Sequence, residues 1–408
     1  MNILLINHYA GSLRHGMEYR PYYLAREWVK AGHDVTIIAA SFSHLRSKNP
    51  MVTRYISEEI IHGIRYIWLF TPTYKGNGIG RIRNMLSFII RLRSYLQIQI
   101  NKVKYDAVIA SSTYPLDIYP ASMVQKRTGA KFIFEVHDLW PLSPMELGNI
   151  PPWHPYIMLM QKAENDAYRF CDRVVSLLPC AEEHMLRHGL ARGKFVALPN
   201  GIDVSGWPIL QGDLPAEHQE VFQRLREKKT FVAGYAGAHG VANSLHTLLE
   251  AGELLKGENV ALVFVGQGPE KENLQRQARV KGLKSVFFLP AVDKMMIPVV
   301  LGFFDVAYIG LQNQPLFRFG VSPNKLMDYM MAAKPIVHAI KAGNDLVRDA
   351  ECGISVEPED PRAVANAIMN LMAMGESERI KMGLRGRQYV LACHDYKVLA
   401  TKFLEIMK

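Results

Sequence analysis

Short apolar runs alternate with stretches of helical spacing along most of the chain. Asn2–Tyr9 (NILLINHY) is rich in apolar residues and predicts a buried strand. Glu18–Gly32 (EYRPYYLAREWVKAG) repeats its apolar positions at three and four residues and predicts a helix, and His33–Ala40 (HDVTIIAA) predicts the next strand. The same kind of run returns at Asp106–Ser111, Lys131–His137, Arg173–Pro179 and Lys194–Gly201. After a polar segment, Gln211–Lys229, the rhythm restarts: strand Thr230–Gly237, helix Ser244–Leu255, strands Val260–Gly268, Ser285–Pro290 and Val306–Leu311. Strands without polar alternation, separated by helices, imply parallel sheets covered on both faces.

The restart divides the chain. Leu198–Pro208 (LPNGIDVSGWP) closes the first series, so the boundary is expected near Gly201, with an N-terminal α/β domain over 1–200 and a second over 201–385. The last segment, 386–408, reads as helical and is expected to pack back toward the first domain. Ligands of open parallel sheets bind beyond the carboxyl ends of the strands, so two such domains would face each other across a cleft, and motifs at strand ends matter most.

Composition narrows the class without naming a partner. Half of the 408 residues are hydrophobic, which fits large cores, and 48 Lys and Arg against 38 Asp and Glu leave a formal charge of +10. That balance suits anionic partners: nucleic acid, anionic lipid or phosphorylated small molecules. Cys171, Cys180, Cys352 and Cys393 have no metal-ligand spacing and read as reduced thiols of a cytosolic chain. The first residues lack the basic start of a signal peptide. The longest apolar-rich run, Met295–Leu311, is interrupted by Pro298 and Asp305 and is too short to span a membrane.

One stretch departs from ordinary helix design. In Phe319–Val337 (FGVSPNKLMDYMMAAKPIV), Ser322 predicts an N-cap and Pro323 the first helical residue. Lys325 then stands where a capping box wants Glu or Gln, opposing the helix dipole at ~0.3–1 kcal/mol. An external anion would turn that penalty into a gain, since free backbone N–H groups and an ammonium make a phosphate seat. Asp328, one turn on, could bind sugar hydroxyls, so the pair fits a nucleotide-sugar. A solvated Lys–Asp pair on a surface helix is the alternative.

This stretch resembles the donor-site signature of the GT-B glycosyltransferases of family 4, a group of retaining enzymes. In that family such a segment ends in a Glu that holds the donor ribose. Lys325–Val337 follows the pattern closely, with Asp328 in the place of the Glu. Gly32–Ile38 (GHDVTII), Pro199–Asp203 (PNGID) and Val263–Leu274 (VFVGQGPEKENL) resemble further elements of the family in the same order. SPNKLMDYM resembles in particular the branch that builds O-antigen, lipopolysaccharide and other bacterial surface polysaccharides. The resemblance covers nearly the whole chain and implies two Rossmann-like, doubly wound domains facing a central cleft.

It also implies a site. The donor would meet Gly320, Val321, Ser322, Pro323, Asn324, Lys325, Leu326 and Asp328, together with Gly266 and Gly268 after one strand and Pro290, Ala291 and Val292 after the next. The family's first Glu would fall at Gly320, so sugar recognition there departs from the pattern. The Arg and Lys usual after the second domain's first strand are replaced by Gly237, His239 and Gly240, and His239 becomes a candidate phosphate ligand beside Lys325. His137, at the end of Phe134–Pro144 (FEVHDLWPLSP), takes the role of the family's histidine at the transferred sugar. Its neighbour Asp138 would hold a loop or meet the acceptor. In His8–Tyr23 (HYAGSLRHGMEYRPYY), Gly16 is assigned to the family's glycine-rich loop, and Glu18 and Arg20 to the acceptor side. His137 as a strand-end histidine bonded to backbone, and Glu18 with Arg20 as a surface pair, are the plainer readings.

Two further features bear on partners. Gly80–Lys104 is amphipathic and basic, carrying Arg81, Arg83, Arg91, Arg93, Lys102 and Lys104 among apolar residues. It suits either an anionic membrane surface or packing on the sheet. Glu182–His188 (EEHMLRH) places His184 and His188 at i, i+4, half of a zinc site without the Glu of H-E-x-x-H. No Asp-x-Asp occurs in the chain, so no metal or other cofactor is expected.

The reading is a cytoplasmic enzyme, peripheral on the inner membrane face, that moves a sugar from a UDP-sugar to a lipid-linked saccharide. The sugar is guessed to be acetamido or uronic, with GDP left open. A UDP-sugar 2-epimerase shares the architecture but would need acid–base carboxylates that do not stand out. A two-domain ligand-binding protein and a nucleic-acid binder are the other rivals. The second lacks any recognisable module, so no nucleic acid is expected.

Overall fold

The computed structural model describes residues 1–76, 78–207 and 213–408; the end of the LPNGIDVSGWP motif and the start of the polar segment after it lie outside these. Two units divide the chain: Met1–Asn200 with Tyr396–Lys408, and Gly201–Asp395.

The first unit is built on β1 (Asn2–Ile6), β2 (Asp34–Ala40), β3 (Ile56–Ile61), β4 (Ile64–Leu69), β5 (Ala107–Ala110), β6 (Lys131–Val136), β7 (Arg173–Ser176) and β8 (Phe195–Ala197). Among the described residues they form one sheet in the order β3-β4-β2-β1-β5-β6-β7-β8. Ile3 to Ile6 and Ala107 to Ala110 have no exposed surface, as expected of strands covered on both faces. The helix Arg20–Lys30 buries Tyr22, Leu24, Ala25 and Trp28 and crosses from β1 to β2.

One pairing breaks the parallel pattern. β3 runs antiparallel to β4 at the sheet edge, an element that the apolar rhythm did not announce. Its turn is His62–Gly63, with φ of 50° and 79°, the left-handed geometry of a tight hairpin.

The second unit is built on β9 (Phe231–Ala236), β10 (Val260–Val265), β11 (Val286–Leu289), β12 (Val306–Gly310), β13 (Ile336–Ala339) and β14 (Gly353–Ser355). They are parallel, in the order β11-β10-β9-β12-β13-β14. One apolar core gathers Phe304, Leu326, Met330 and Val390; another gathers Leu248, Phe264, Tyr308 and Ile368. Strand order reverses between β9 and β12 here, and between β1 and β5 in the first unit, the points where open sheets leave a crevice beyond their carboxyl ends.

The C-terminal segment does not begin at 386. The helix Glu376–Cys393 belongs to the second unit, where Val390 lies in the core with Met330. Only Tyr396–Lys408 joins the first unit. There the helix Tyr396–Met407 covers Arg20–Lys30: Tyr396 stacks on Tyr23 at 4.8 Å, Phe403 meets the Trp28 ring edge-on at 5.3 Å, and Trp28 Nε1 donates to Ala400 O at 3.1 Å. Both ends of the second unit lie side by side, with Ile202 N–H donating to His394 O at 2.8 Å.

Candidate active site

Three neighbouring strand ends of the second unit carry the predicted turns. β9 runs into Gly237–Gly240, β10 into Gly266–Gly268, and β11 into Pro290–Val292. The first two turns lock together through Gly237 N–H to Val265 O (3.0 Å), His239 N–H to Gln267 O (2.8 Å) and Glu270 N–H to His239 O (3.0 Å). A Cβ on Gly268 would stand 2.4 Å from the His239 carbonyl oxygen, so glycine is required for this close approach. Lys271, where a dinucleotide fingerprint has its third glycine, ties the same turns by donating to the carbonyls of Gly266 (3.0 Å) and Leu289 (3.1 Å). The Pro290 carbonyl accepts from His218 Nε2 at 3.0 Å.

The structure changes the expectation for His239. The side chain is fully buried near the rings of Tyr235, Phe264 and Phe288, and neither ring nitrogen has a hydrogen-bond partner among the described residues. Burial first, then Lys271 and Lys325, press its pKa down to about 4. A neutral, enclosed imidazole supplies no charge to a phosphate.

The Lys325 helix also starts differently. It spans Asn324–Met331 with Pro323, not Ser322, at the N-cap and no side-chain cap bond. Pro323 has ψ of 124°, outside the helical region, so the first turn begins one residue later than Ser322–Pro323 suggested. Lys325 is thus the second helical residue, in the turn whose N–H groups have no intrahelical acceptor. Its ammonium reaches over the β9 turn, donating to Tyr235 Oη at 2.9 Å and to Asn243 Oδ1, and lying 4.9 Å from the centre of the Tyr235 ring. Tyr235 Oη and Asn243 Nδ2 both donate to Ala238 O, at 2.7 and 3.0 Å, which fixes that pair. Burial lowers the Lys325 pKa to about 8. No carboxylate pairs with Lys325 among the described residues.

Asp328 is partly buried one turn further on, and burial raises its pKa to about 6 against the opposing pull of Lys294. Upstream, Gly320 has φ of 100° and ψ of 166°, a conformation reserved almost wholly for glycine. A Glu at this position would strain the backbone as it stands, which accounts physically for the departure from the family pattern. Val321 is held on both sides by Asn344, whose Oδ1 accepts from Val321 N–H (2.8 Å) and whose Nδ2 donates to Val321 O (3.0 Å).

In the first unit, the ends of β1, β5 and β6 meet in a buried polar network. Asn7 Nδ2 donates to the Ser111 carbonyl (2.7 Å) and hydroxyl (3.1 Å). Ser111 Oγ donates to Glu135 Oε2 (2.6 Å) and stands 2.9 Å from His137 Nε2, which is 3.3 Å from Glu135 Oε2. With the Ser111 proton given to the carboxylate, His137 Nε2 is the donor toward this pair. Burial pushes the Glu135 pKa up, but Arg20, His137 and Ser111 outweigh it and hold the carboxyl at about 2.

Arg20 is therefore not an acceptor ligand. Only 1% exposed, it donates to Glu135 Oε1 (3.0 Å) and to the carbonyls of Pro199 (2.6 Å) and Leu198 (3.0 Å). Its helix starts at Arg20 itself, so Glu18 precedes it and is partly exposed. Asp138 holds its loop, accepting from Leu139 N–H (3.0 Å) and Ser143 Oγ (2.6 Å). Gly16 closes a tight Ser12–Gly16 turn, donating to Ser12 O at 2.8 Å.

Sequence reasoning passed over Tyr235, Asn243, Asn344, Ser111 and Glu135. For Glu135 a signal was present: an acid inside the apolar run FIFEV must be paired or costly.

The basic segment forms the helix Ile79–Gln99, leaving Lys102 and Lys104 beyond its end. Met85, Phe88, Leu92, Tyr95 and Leu96 are buried, while Arg83, Leu86, Ile90 and Arg93 are exposed. Arg81 and Arg91 lie against aromatic rings. Among the described residues no helix is long and apolar enough to cross a membrane.

Residues 14–205 match the model of Glycosyltransferase Family 4, and residues 230–374 match that of Glycosyl transferases group 1. The chain belongs to glycosyltransferase family 4. This glycosyltransferase is 23% identical over 331 residues to WbjE of Pseudomonas aeruginosa, a glycosyltransferase, covering 77% of each chain. It is 22% identical over 392 residues to WcaI of Escherichia coli K12, a colanic acid biosynthesis glycosyl transferase, covering 93% of each. The fold of this family 4 enzyme matches that of Anabaena Alr3699/HepE, crystallised with UDP, with a TM-score of 0.69 at 16% identity over 99% of both chains. Such structural neighbours are GT-B glycosyltransferases, and the two parallel-sheet units are of that class.

Proposed function

We propose that this enzyme transfers a sugar, with retention, from a UDP-sugar to a lipid-linked saccharide in the assembly of a bacterial surface polysaccharide. The observation that carries the donor reading is Lys325: an ammonium without a carboxylate partner among the described residues, held by Tyr235 and Asn243 over the β9 turn in the first turn of a helix. Ammonium and free N–H groups together fit a diphosphate and would stabilise it as a leaving group. Asp328 takes the ribose hydroxyls. His137 is assigned to a hydroxyl of the transferred sugar. The polysaccharide setting is supported by the name of WcaI, and the UDP choice by the complex of HepE. No carboxylate among the assigned residues is placed as a nucleophile, which favours front-side attack through an oxocarbenium-like transition state.

The exposed stripe Arg83, Leu86, Ile90 and Arg93 is proposed to rest on an anionic membrane surface, where a lipid-linked acceptor resides. No metal is assigned to the transfer step.

Thermal melts with UDP, GDP, ADP and NAD, each with and without EDTA, on wild type and Lys325→Ala test the donor seat. A rise specific to UDP, unaffected by EDTA and reduced in the variant, is expected. A GDP preference would replace the donor, and the absence of any shift from a folded protein would overturn the seat.

A further inference from the structure

The paired histidines of Glu182–His188 gain a third partner in the fold. The helix Glu182–Arg187 and its C-cap His188 lie beside the helix Pro155–Phe170, which brings up Glu164. One potential ligand atom from each of Glu164, His184 and His188 lies within 4.8 Å of the others. Glu164 is only 2% exposed, and its ion-pair partner among the described residues is His184, with Nε2 to Oε1 at 3.4 Å. A tetrahedral zinc ion with bonds of about 2.05 Å separates its ligand atoms by about 3.3 Å, so this pair already has the spacing of one tetrahedral edge. The His184 and His188 rings are 4.5 Å apart, so closing on an ion takes side-chain movement on the order of 1 Å.

The surroundings orient these groups as a metal's outer partners do. Glu164 Oε1 accepts from Tyr168 Oη at 2.9 Å and Oε2 from Gln161 Nε2 at 2.7 Å. His188 Nδ1 stands 3.1 Å from Asn165 Oδ1 and 3.0 Å from the Gln161 amide. A proton on Nδ1 given to Asn165 leaves Nε2 with its lone pair. Two imidazoles and one carboxylate are the donor set of zinc and its first-row neighbours, with a fourth position left for water.

We propose that Glu164, His184 and His188 bind a zinc ion that clips the short helix Glu182–Arg187 to the helix Pro155–Phe170. The site is in the first unit and shares no residue with the donor seat, so its role is structural. A six-residue helix has little stability of its own, and a metal that binds only the folded state stabilises it by mass action.

The full-length, tag-free protein is stripped with chelator and reloaded with zinc chloride. Wild type, His184→Ala, His188→Ala, the double variant and Glu164→Gln are compared for bound zinc after gel filtration, for cobalt absorption and for melting. About one zinc per chain is expected in wild type, with a tetrahedral cobalt spectrum and a Tm higher by about 5–10 °C at a hundredfold excess over Kd; all three are lost in the histidine variants. Glu164 is buried and its variant could misfold, but the histidines are partly exposed and carry the test without it. Zinc retention in wild type no greater than in the double variant, or a Tm unmoved by zinc, would overturn the site. The UDP-induced shift is read on stripped and reloaded protein alike, so failure here is distinct from failure of the donor seat.

Discussion

Arg20→Ala removes the cation from a carboxylate with no exposed surface. Glu135 would keep the Ser111 hydroxyl at 2.6 Å and His137 at 3.3 Å but lose its guanidinium partner at 3.0 Å, and the carbonyls of Leu198 and Pro199 would lose their donor. Stranding one member of a buried pair costs about 3–5 kcal/mol. The depressed Glu135 pKa points the same way, since Arg20 leads the interactions that outweigh burial and keep the carboxyl ionised. Because this pKa is depressed on folding, the contribution is fully present above the unfolded value and is lost as pH falls through about 2. Without Arg20, burial dominates and the Glu135 pKa rises, so the defect is largest near neutral pH and shrinks in acid. For a unit of this size, about 3–5 kcal/mol lowers Tm by about 8–15 °C. Tryptophan fluorescence isolates the transition, since Trp28, Trp68, Trp140 and Trp153 lie in the first unit and Trp207 alone in the second. The control is Arg20→Met with Glu135→Leu, which removes both charges and should recover most of the loss. A drop under about 1 kcal/mol for Arg20→Ala, or a double variant as unstable as the single, would refute the reasoning.

Two other outcomes follow from the same geometry. UDP affinity, measured by calorimetry, should be greatest between about pH 6, above which Asp328 is ionised, and about pH 8, below which Lys325 is charged; the acid limb also contains UDP's own terminal phosphate, so it should weaken rather than vanish in Asp328→Asn, and a profile flat from pH 5 to 9 contradicts both assignments. Arg83→Glu with Arg93→Glu should lower co-sedimentation with phosphatidylglycerol-containing vesicles at least tenfold, since each cation near an anionic surface contributes about 1 kcal/mol; equal binding to neutral vesicles, or no change in the variant, removes the membrane from the picture.

The apolar rhythm was enough to read most of the parallel strands, because buried strands such as Val260–Val265 have no polar alternation to confuse them, though it did not mark Ile336–Ala339 or Gly353–Ser355. It missed the Ile56–Leu69 hairpin, where an edge strand with exposed Ile56 and Ile60 carries little apolar contrast. Lys325 was legible because a cation in a first turn violates helix-end preferences, and Asp328 through its spacing one turn from it. What holds Lys325 was not: Tyr235 and Asn243 stand some eighty to ninety residues away and meet it only through the sheet order. Arg20 shows the opposite failure. In a glycine-rich stretch it looked like a ligand, yet its partner Glu135 lies 115 residues on, and a long-range buried pair leaves no local pattern.

The helix Tyr396–Met407 gives the chain a nested architecture rather than two consecutive halves. The second unit is a guest inserted near the end of its host, and its ends already touch where Ile202 meets His394. Adjacent ends make insertion cheap in loop-closure entropy. A fragment of residues 201–395 can therefore be excised as a self-contained piece. A fragment ending at Asn200 would bare Tyr23 and Trp28, the aromatic surface that the last helix covers. Dissection of this enzyme thus needs two cuts of the gene rather than one, with the final thirteen codons travelling with the first two hundred.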